Sequence, residues 1–210
     1  MIAILDYKAG NLTSVKRALD HLGFSCRITN SPEEIRRADR VVFPGVGAAG
    51  KSMENLGQLG LDTLIKELFL ARVPLLCICV GLQVLFDLSE ENLTRCLGIL
   101  PGEVARFPEK MVSERGDFLK IPHMGWNEVK FCQDHPVVQG IPAGSEFYFV
   151  HSYYPRPASD DICLGTTEYG ITFTCAVALQ NLVAVQFHPE KSGKPGLKLL
   201  DNFCRWSGLS

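Results

Sequence analysis

Apolar and polar positions in the first half of the chain follow two rhythms in turn. Continuous apolar runs at IAILDY (2–7), FSCRITN (24–30), RVVFPG (40–45) and PLLCI (74–78) predict short buried strands. Between them the spacing lengthens to three and four. Leu12, Val15, Leu19 and Leu22 mark one face of a helix that Gly23 should stop. Ser31 and Pro32 are a cap and a first helical residue for a helix through SPEEIRRA. GLDTLIKELFLARV (60–73) and GLQVLFDLS (81–89) also read as helices.

The second half is punctuated by Pro and Gly and breaks into short strand-like pieces. These are ILPGEVARF, HMGWNEVKF, EFYFVHSYYP, ICLGTTEY, ITFTCAVAL and LVAVQF, before a closing helix in GKPGLKLLDNFCRWSG. Strands that are apolar on both faces and alternate with helices predict an α/β fold. Its central, mostly parallel sheet is covered on both sides, and a β-rich C-terminal half, part of it antiparallel, is added to it. Nothing reads as a repeat or a linker, so one domain over 1–210 is expected. Ligands of such sheets bind beyond the carboxyl ends of the strands. PGVG (44–47) and the turn at Cys79 are therefore expected at the functional edge.

Composition narrows the function classes. With 46% hydrophobic and 21% charged residues and a formal net charge of −2, the chain gives no electrostatic reason to expect nucleic acid or an anionic membrane. MIAILDYKAGN lacks the length and flanks of a secretory signal, and no apolar run reaches the ~18 residues of a membrane helix. A cytoplasmic location is expected. The eight cysteines are irregularly spaced, with no CxxC and no HxxxH, so no metal site and no cofactor are expected.

Cys77-Ile78-Cys79-Val80-Gly81 lies where a buried strand stops. The thiols there could be core filler, half a metal site, or a nucleophile with a small neighbour. A strand that turns sharply into a helix can present its turn residue out of the sheet if small residues flank it, and Gly81 and Cys77 are small. The helix N-terminus beside such a sulfur favours thiolate. Among five histidines, His188 follows an apolar strand in LVAVQFHPEKSG, and Glu190 stands two residues on, spaced to project to the same side. A carboxylate there could orient the imidazole as the third member of a triad does. A plain strand end with a solvated Glu is the alternative.

CICVGLQ, QFHPEKS and the PGVG strand end together resemble the class I (triad) glutamine amidotransferases, over essentially the whole chain. DYKAGNLTSVKRAL, FPGVGAAGKSM, KIPHMGWNEV, FYFVHSYY and VAVQFHPEKSG are similar, more narrowly, to the subfamily of HisH glutaminase subunits of imidazole glycerol phosphate synthase. The resemblance implies a flavodoxin-like fold and a Cys79-His188-Glu190 triad that releases ammonia from glutamine. It implies oxyanion donors at Val80 and at Val46 or Gly47, substrate contacts at Gln83, Ser152 and Tyr153, and a partner-facing edge with Asn11, Met124, Trp126, Asn127 and Lys191. His123 falls at that edge with no chemistry assigned. The implied partner is a HisF-type (β/α)₈ cyclase subunit in a heterodimer. Cys77 and Lys8 stand where the family usually has glycine. The alternatives are a relative feeding ammonia to another synthase, such as one for surface sugars, a non-catalytic regulatory protein on the same scaffold, or a free-standing cysteine hydrolase.

Overall fold

A computed structural model describes residues 1–8, 11–113 and 116–208; Ala9 and Gly10 of the DYKAGN stretch lie outside the described residues. The chain begins β1 (Ile2–Leu5), α1 (Leu12–His21), β2 (Cys26–Thr29), α2 (Pro32–Arg36), β3 (Arg40–Gly45), α3 (Ala49–Leu59), α4 (Leu61–Leu70), β4 (Leu75–Cys79) and α5 (Val80–Gln83). Short strands β5 (Leu88–Ser89), β6 (Thr94–Arg95), β7 (Gly102–Arg106), β8 (Met111–Val112) and β9 (Phe118–Leu119) follow. Then come β10 (His123–Glu128), β11 (Lys130–Phe131), β12 (Glu146–His151), β13 (Tyr153–Pro157), β14 (Cys163–Glu168), β15 (Thr172–Leu179), β16 (Leu182–Val185) and α6 (Gly193–Arg205).

The main sheet runs β11-β14-β15-β16-β4-β3-β1-β2. The segment from β16 to β2 is parallel, while β15, β14 and β11 add on in antiparallel fashion. Every residue of β1, β4 and β16 is buried, as expected for strands covered on both faces. The expected α/β class is therefore observed; from the β-rich half, β11, β14, β15 and β16 extend the same sheet, while β13-β7-β5-β6, β10-β12 and β8-β9 form smaller separate sheets. Because β3, β4 and β16 are adjacent and parallel, their carboxyl ends lie side by side, with Gly45 opposite Cys79 and Val185 opposite Ile78. The residues just after those ends are thereby brought to one edge.

Local signals account for the early helices. Gly23 (φ 81°) closes α1 with Gly23 N–H bonded to the Asp20 carbonyl and Phe24 N–H to that of Leu19. Ser31 Oγ accepts from Glu34 N–H at the start of α2. Two segments differ from the pattern. The helix expected over 81–89 is a single turn, α5, followed by a bend into β5. Residues 80–86 are buried all round, and the carbonyls of Val84, Leu85 and Phe86 accept from N–H groups of 97–100, which competes with continuing the helix. Helix α3 was not signalled. It contains two glycines, and its N-cap Ala48 has no capping side chain; a distant carboxylate, Glu91 Oε2, accepts from Ala49 N–H at 2.6 Å.

Lys8 has φ 64°, a left-handed conformation that costs an L-residue roughly 1–2 kcal/mol. Lys8→Gly is expected to raise stability by about 1 kcal/mol, seen as a higher urea midpoint with an unchanged slope. An unchanged midpoint would count against strain at this residue.

Candidate active site

β4 ends in a strained turn. Cys79 has φ 56° and ψ −111°, a region a non-glycine residue enters only when its surroundings hold it there. Two glycines make the turn possible. A Cβ on Gly81 would lie 2.3 Å from the Phe43 carbonyl oxygen, and one on Gly45 would lie 2.6 Å from Gly81 N. The close approach of β3 to the elbow therefore excludes side chains at both positions. Cys77 pairs within the sheet and is fully buried, and burial pushes its thiol far above the usual range. Cys79, 4% exposed, lines a cavity of about 320 Å³.

His188 lines the same cavity, beyond the end of β16. Its Nδ1 donates to Glu190 Oε1 at 2.9 Å, and the two side chains are 2% and 1% exposed. That carboxylate oxygen also accepts from Asn11 Nδ2 at 2.5 Å, so the acid is gripped from α1's N-terminal end as well. Main-chain bonds fix the loop: His188 N–H donates to the Tyr148 carbonyl and Ser192 Oγ–H to the His188 carbonyl. The ring's Nε2 is buried, with no hydrogen-bond partner of ordinary geometry among the described residues. Burial works against a charged ring here, but the Cys79 sulfur and the Glu190 carboxylate outweigh it and hold the His188 pKa up at about 9. A thiol, an imidazole that keeps its proton at neutral pH, and a buried acid are thus in series.

The remaining expected positions divide into two groups. Val46, Gly47, Val80, Gln83, Ser152 and Tyr153 all line the cavity. Gly47 has φ 92°, and the first turn of α5 leaves N–H groups without helical partners beside the sulfur. The Gln83 side chain is turned inward. Its Nε2 donates to the Tyr153 carbonyl at 3.1 Å and to Gln186 Oε1 at 2.9 Å. Met124 and Trp126 are instead 61% and 53% exposed on β10. Trp126 meets Tyr148 edge-on, and Lys191 Nζ sits 5.6 Å from the Tyr148 ring centre. Asn127 is half-buried and donates to the Glu168 carbonyl at 2.7 Å. Among the described residues no three His, Cys, Asp or Glu side chains converge as metal ligands, and no helix is long and apolar enough to cross a membrane.

Residues 3–206 match the sequence family described as Glutamine amidotransferase class-I. The chain belongs to this family. Among relatives of the amidotransferase is the imidazole glycerol phosphate synthase subunit HisH of Dehalococcoides mccartyi, 53% identical over 204 residues, covering 97% of this chain and 96% of that one. The protein of the same name from Nitratidesulfovibrio vulgaris is 52% identical over 206 residues, covering 98% and 96%. The crystal structure of a glutamine amidotransferase superposes with a TM-score of 0.72 at 17% identity, covering 97% of this chain and 98% of that one. Another, from Thermotoga maritima, gives 0.69 at 16% identity, covering 100% and 98%. At such identities these two show the shared fold. The chain is thus a class I glutamine amidotransferase in both sequence and architecture.

Sequence reasoning missed three features of the amidotransferase cavity. Glu91, in a short turn after β5, contributes a carboxylate to its wall. Asn11, expected on the partner edge, grips Glu190. Gln186, 0% exposed, donates from Nε2 to Cys79 Sγ at 3.5 Å. Gln186 opens QFHPEKS, and a polar residue at the end of a fully apolar strand is its signal in the sequence.

Proposed function

We propose that this chain is the glutaminase subunit of an imidazole glycerol phosphate synthase, acting as a single cytoplasmic amidotransferase domain in a heterodimer with a HisF-type (β/α)₈ cyclase subunit. The observation that carries the reading is the convergence of Cys79 and His188 on one cavity at the carboxyl edge of the sheet, with the Glu190 carboxylate bonded to His188 Nδ1. Cys79 Sγ attacks the side-chain amide carbon of glutamine. His188, which already holds the thiol proton as the imidazolium partner of the Cys79 thiolate, delivers a proton from Nε2 to the departing nitrogen, so ammonia leaves neutral. A γ-glutamyl thioester remains, and water attacks it to release glutamate and restore the thiol. Glu190, with Asn11 behind it, keeps the Nδ1 proton in place and so leaves Nε2 facing the sulfur.

The tetrahedral oxyanion takes Val80 N–H as one donor and the N–H of Val46 or Gly47 as the other. One donor of this kind is worth on the order of 10²–10³ in rate, so turning one peptide at Gly47 is enough to act as a switch. Gln83, Ser152 and Tyr153 frame the glutamine, and the Glu91 carboxylate complements its ammonium group. The exposed Met124 and Trp126, with Asn127, Lys191 and the neighbourhood of Asn11, form the cyclase-facing surface; aromatic and thioether side chains of this exposure suit an interface anchor.

Mixing the chain with a barrel cyclase subunit is expected to produce a one-to-one complex whose glutamine hydrolysis rises when phosphoribulosylformimino-AICAR-phosphate is added. Activation by a different acceptor, with none by this one, would favour a relative serving another synthase. The rate should fall as pH rises through about 9, because His188 then loses the proton it must deliver. Glu190→Gln keeps an oxygen for Asn11 and for the Nδ1 proton but removes the charge. It should cost on the order of 10² in kcat and move this alkaline limb to lower pH. A limb left in place by this variant would mean that Glu190 does not support the charged ring.

A further inference from the structure

Cys79 Sγ receives one side-chain amide, and the direction of that amide is fixed by what lies behind it. The Tyr153 carbonyl can only accept, so the Gln83 group 3.1 Å from it is NH₂. The second hydrogen of that NH₂ points to Gln186 at 2.9 Å, so the Gln186 atom there is oxygen. The other end of the Gln186 amide, 3.5 Å from the sulfur, is then NH₂ and a donor. Reversing it would set two NH₂ groups against each other and an oxygen lone pair against the sulfur. Gln83 and Gln186 are 4% and 0% exposed, so water cannot relieve a reversed arrangement.

The anchor carbonyl is itself held. His151 Nδ1 lies 2.8 Å from it, and His151 Nε2 lies 3.0 Å from His123 Nδ1. His123 Nε2 lies 3.3 Å from Asn127 Nδ2, whose other bond goes to the Glu168 carbonyl. Both rings are buried, and burial holds them neutral, with pKa values near 3 for His151 and 4 for His123. Neutral rings require one donor each, and the only consistent assignment puts the hydrogen on Nδ1 of both. The Tyr153 carbonyl thus accepts from His151 and Gln83 together.

We propose that Gln186 is a further catalytic residue, an amide donor that stabilises the Cys79 sulfur as thiolate, and that Gln83 is the positioning residue that fixes its direction. The proposal rests on reading Cys79 as the nucleophile. A thiolate accepts this N–H in its charged form, whereas the thiol gains far less from it, so the contact favours the attacking species. Among the described residues the other titratable groups around the sulfur are His188 from the loop after β16, with Glu190 bonded behind it, Tyr7 after β1, and Cys77 on the same strand, with His151 and Glu91 across the cavity. All of these side chains are retained when residue 186 is substituted.

The test follows alkylation of Cys79 by iodoacetamide against pH, site by site by peptide mass spectrometry, in wild type, Gln186→Met and Gln186→Glu. Gln186→Glu keeps the oxygen that Gln83 needs and turns a carboxylate oxygen to the sulfur. The midpoint should rise by about one to two pH units in Gln186→Met, the span of a hydrogen bond to a charged group, and further in Gln186→Glu. An unchanged midpoint in folded variants overturns the role of Gln186 alone; a wild-type Cys79 that resists alkylation at every pH overturns the nucleophile reading as well. If neither variant folds, wild type labelled with ¹⁵N-glutamine decides. The Gln186 side-chain amide resonance should titrate with the alkylation midpoint, and one that stays still overturns the proposal.

Discussion

Cys79→Ala is expected to lower glutamine hydrolysis by on the order of 10⁶, while the complex with a cyclase subunit still makes product from added ammonium. The size follows from the chemistry. Without the sulfur no thioester forms, and water must attack the unactivated amide directly, helped only by the oxyanion donors and substrate binding. The fold should tolerate the change. Alanine lacks only the sulfur, the cavity already borders that atom, and the strained turn is held by Gly81 and Gly45 against Phe43, not by the thiol. Loss of ammonium-dependent synthesis as well would mean that residue 79 serves structure. Cys77→Ala, by contrast, removes a sulfur sealed inside the sheet and should leave hydrolysis within a few-fold of wild type.

His188→Ala is expected to cost on the order of 10⁴–10⁶ in kcat, because it removes both the acceptor of the thiol proton and the donor to the leaving nitrogen. It should also cost stability. Glu190 Oε1 would keep only the Asn11 amide, and Oε2 has no partner among the described residues, so a buried carboxylate would be left without its cation, a loss of about 3–5 kcal/mol. Activity must therefore be compared at a temperature where the variant is folded. Added imidazole, able to enter the vacated cavity, should restore part of the rate. A variant that is folded, stable and still active would remove His188 from the mechanism.

What the sequence disclosed about this site and what it concealed differ in range along the chain. The elbow was legible because its signals are adjacent: a strand apolar on both faces, then a small residue, then a helix start. His188 and Glu190 were legible because they are two residues apart, and their contact needs only an extended segment and one short turn. Asn11 meets Glu190 across 179 residues and Gln186 meets Cys79 across 107, and no local spacing encodes either. Helix α3 escaped for the same reason, since its cap comes from Glu91, 42 residues on. The run 81–89 misled because its residues 81–86 are buried on every side and have no polar face to report a period. The parallel order β3-β4-β16 then does what no motif could, placing three separate loops at one edge.

The central claim is that one thiol, at the end of β4, is the atom that attacks glutamine. The direct measurement is mass spectrometry of the protein after exposure to a glutamine-shaped electrophile, with every cysteine peptide resolved. The account predicts a single adduct, on Cys79, protected by excess glutamine and absent from Cys79→Ala. Modification of Cys77 in its place, together with persisting hydrolysis in Cys79→Ala, would contradict it.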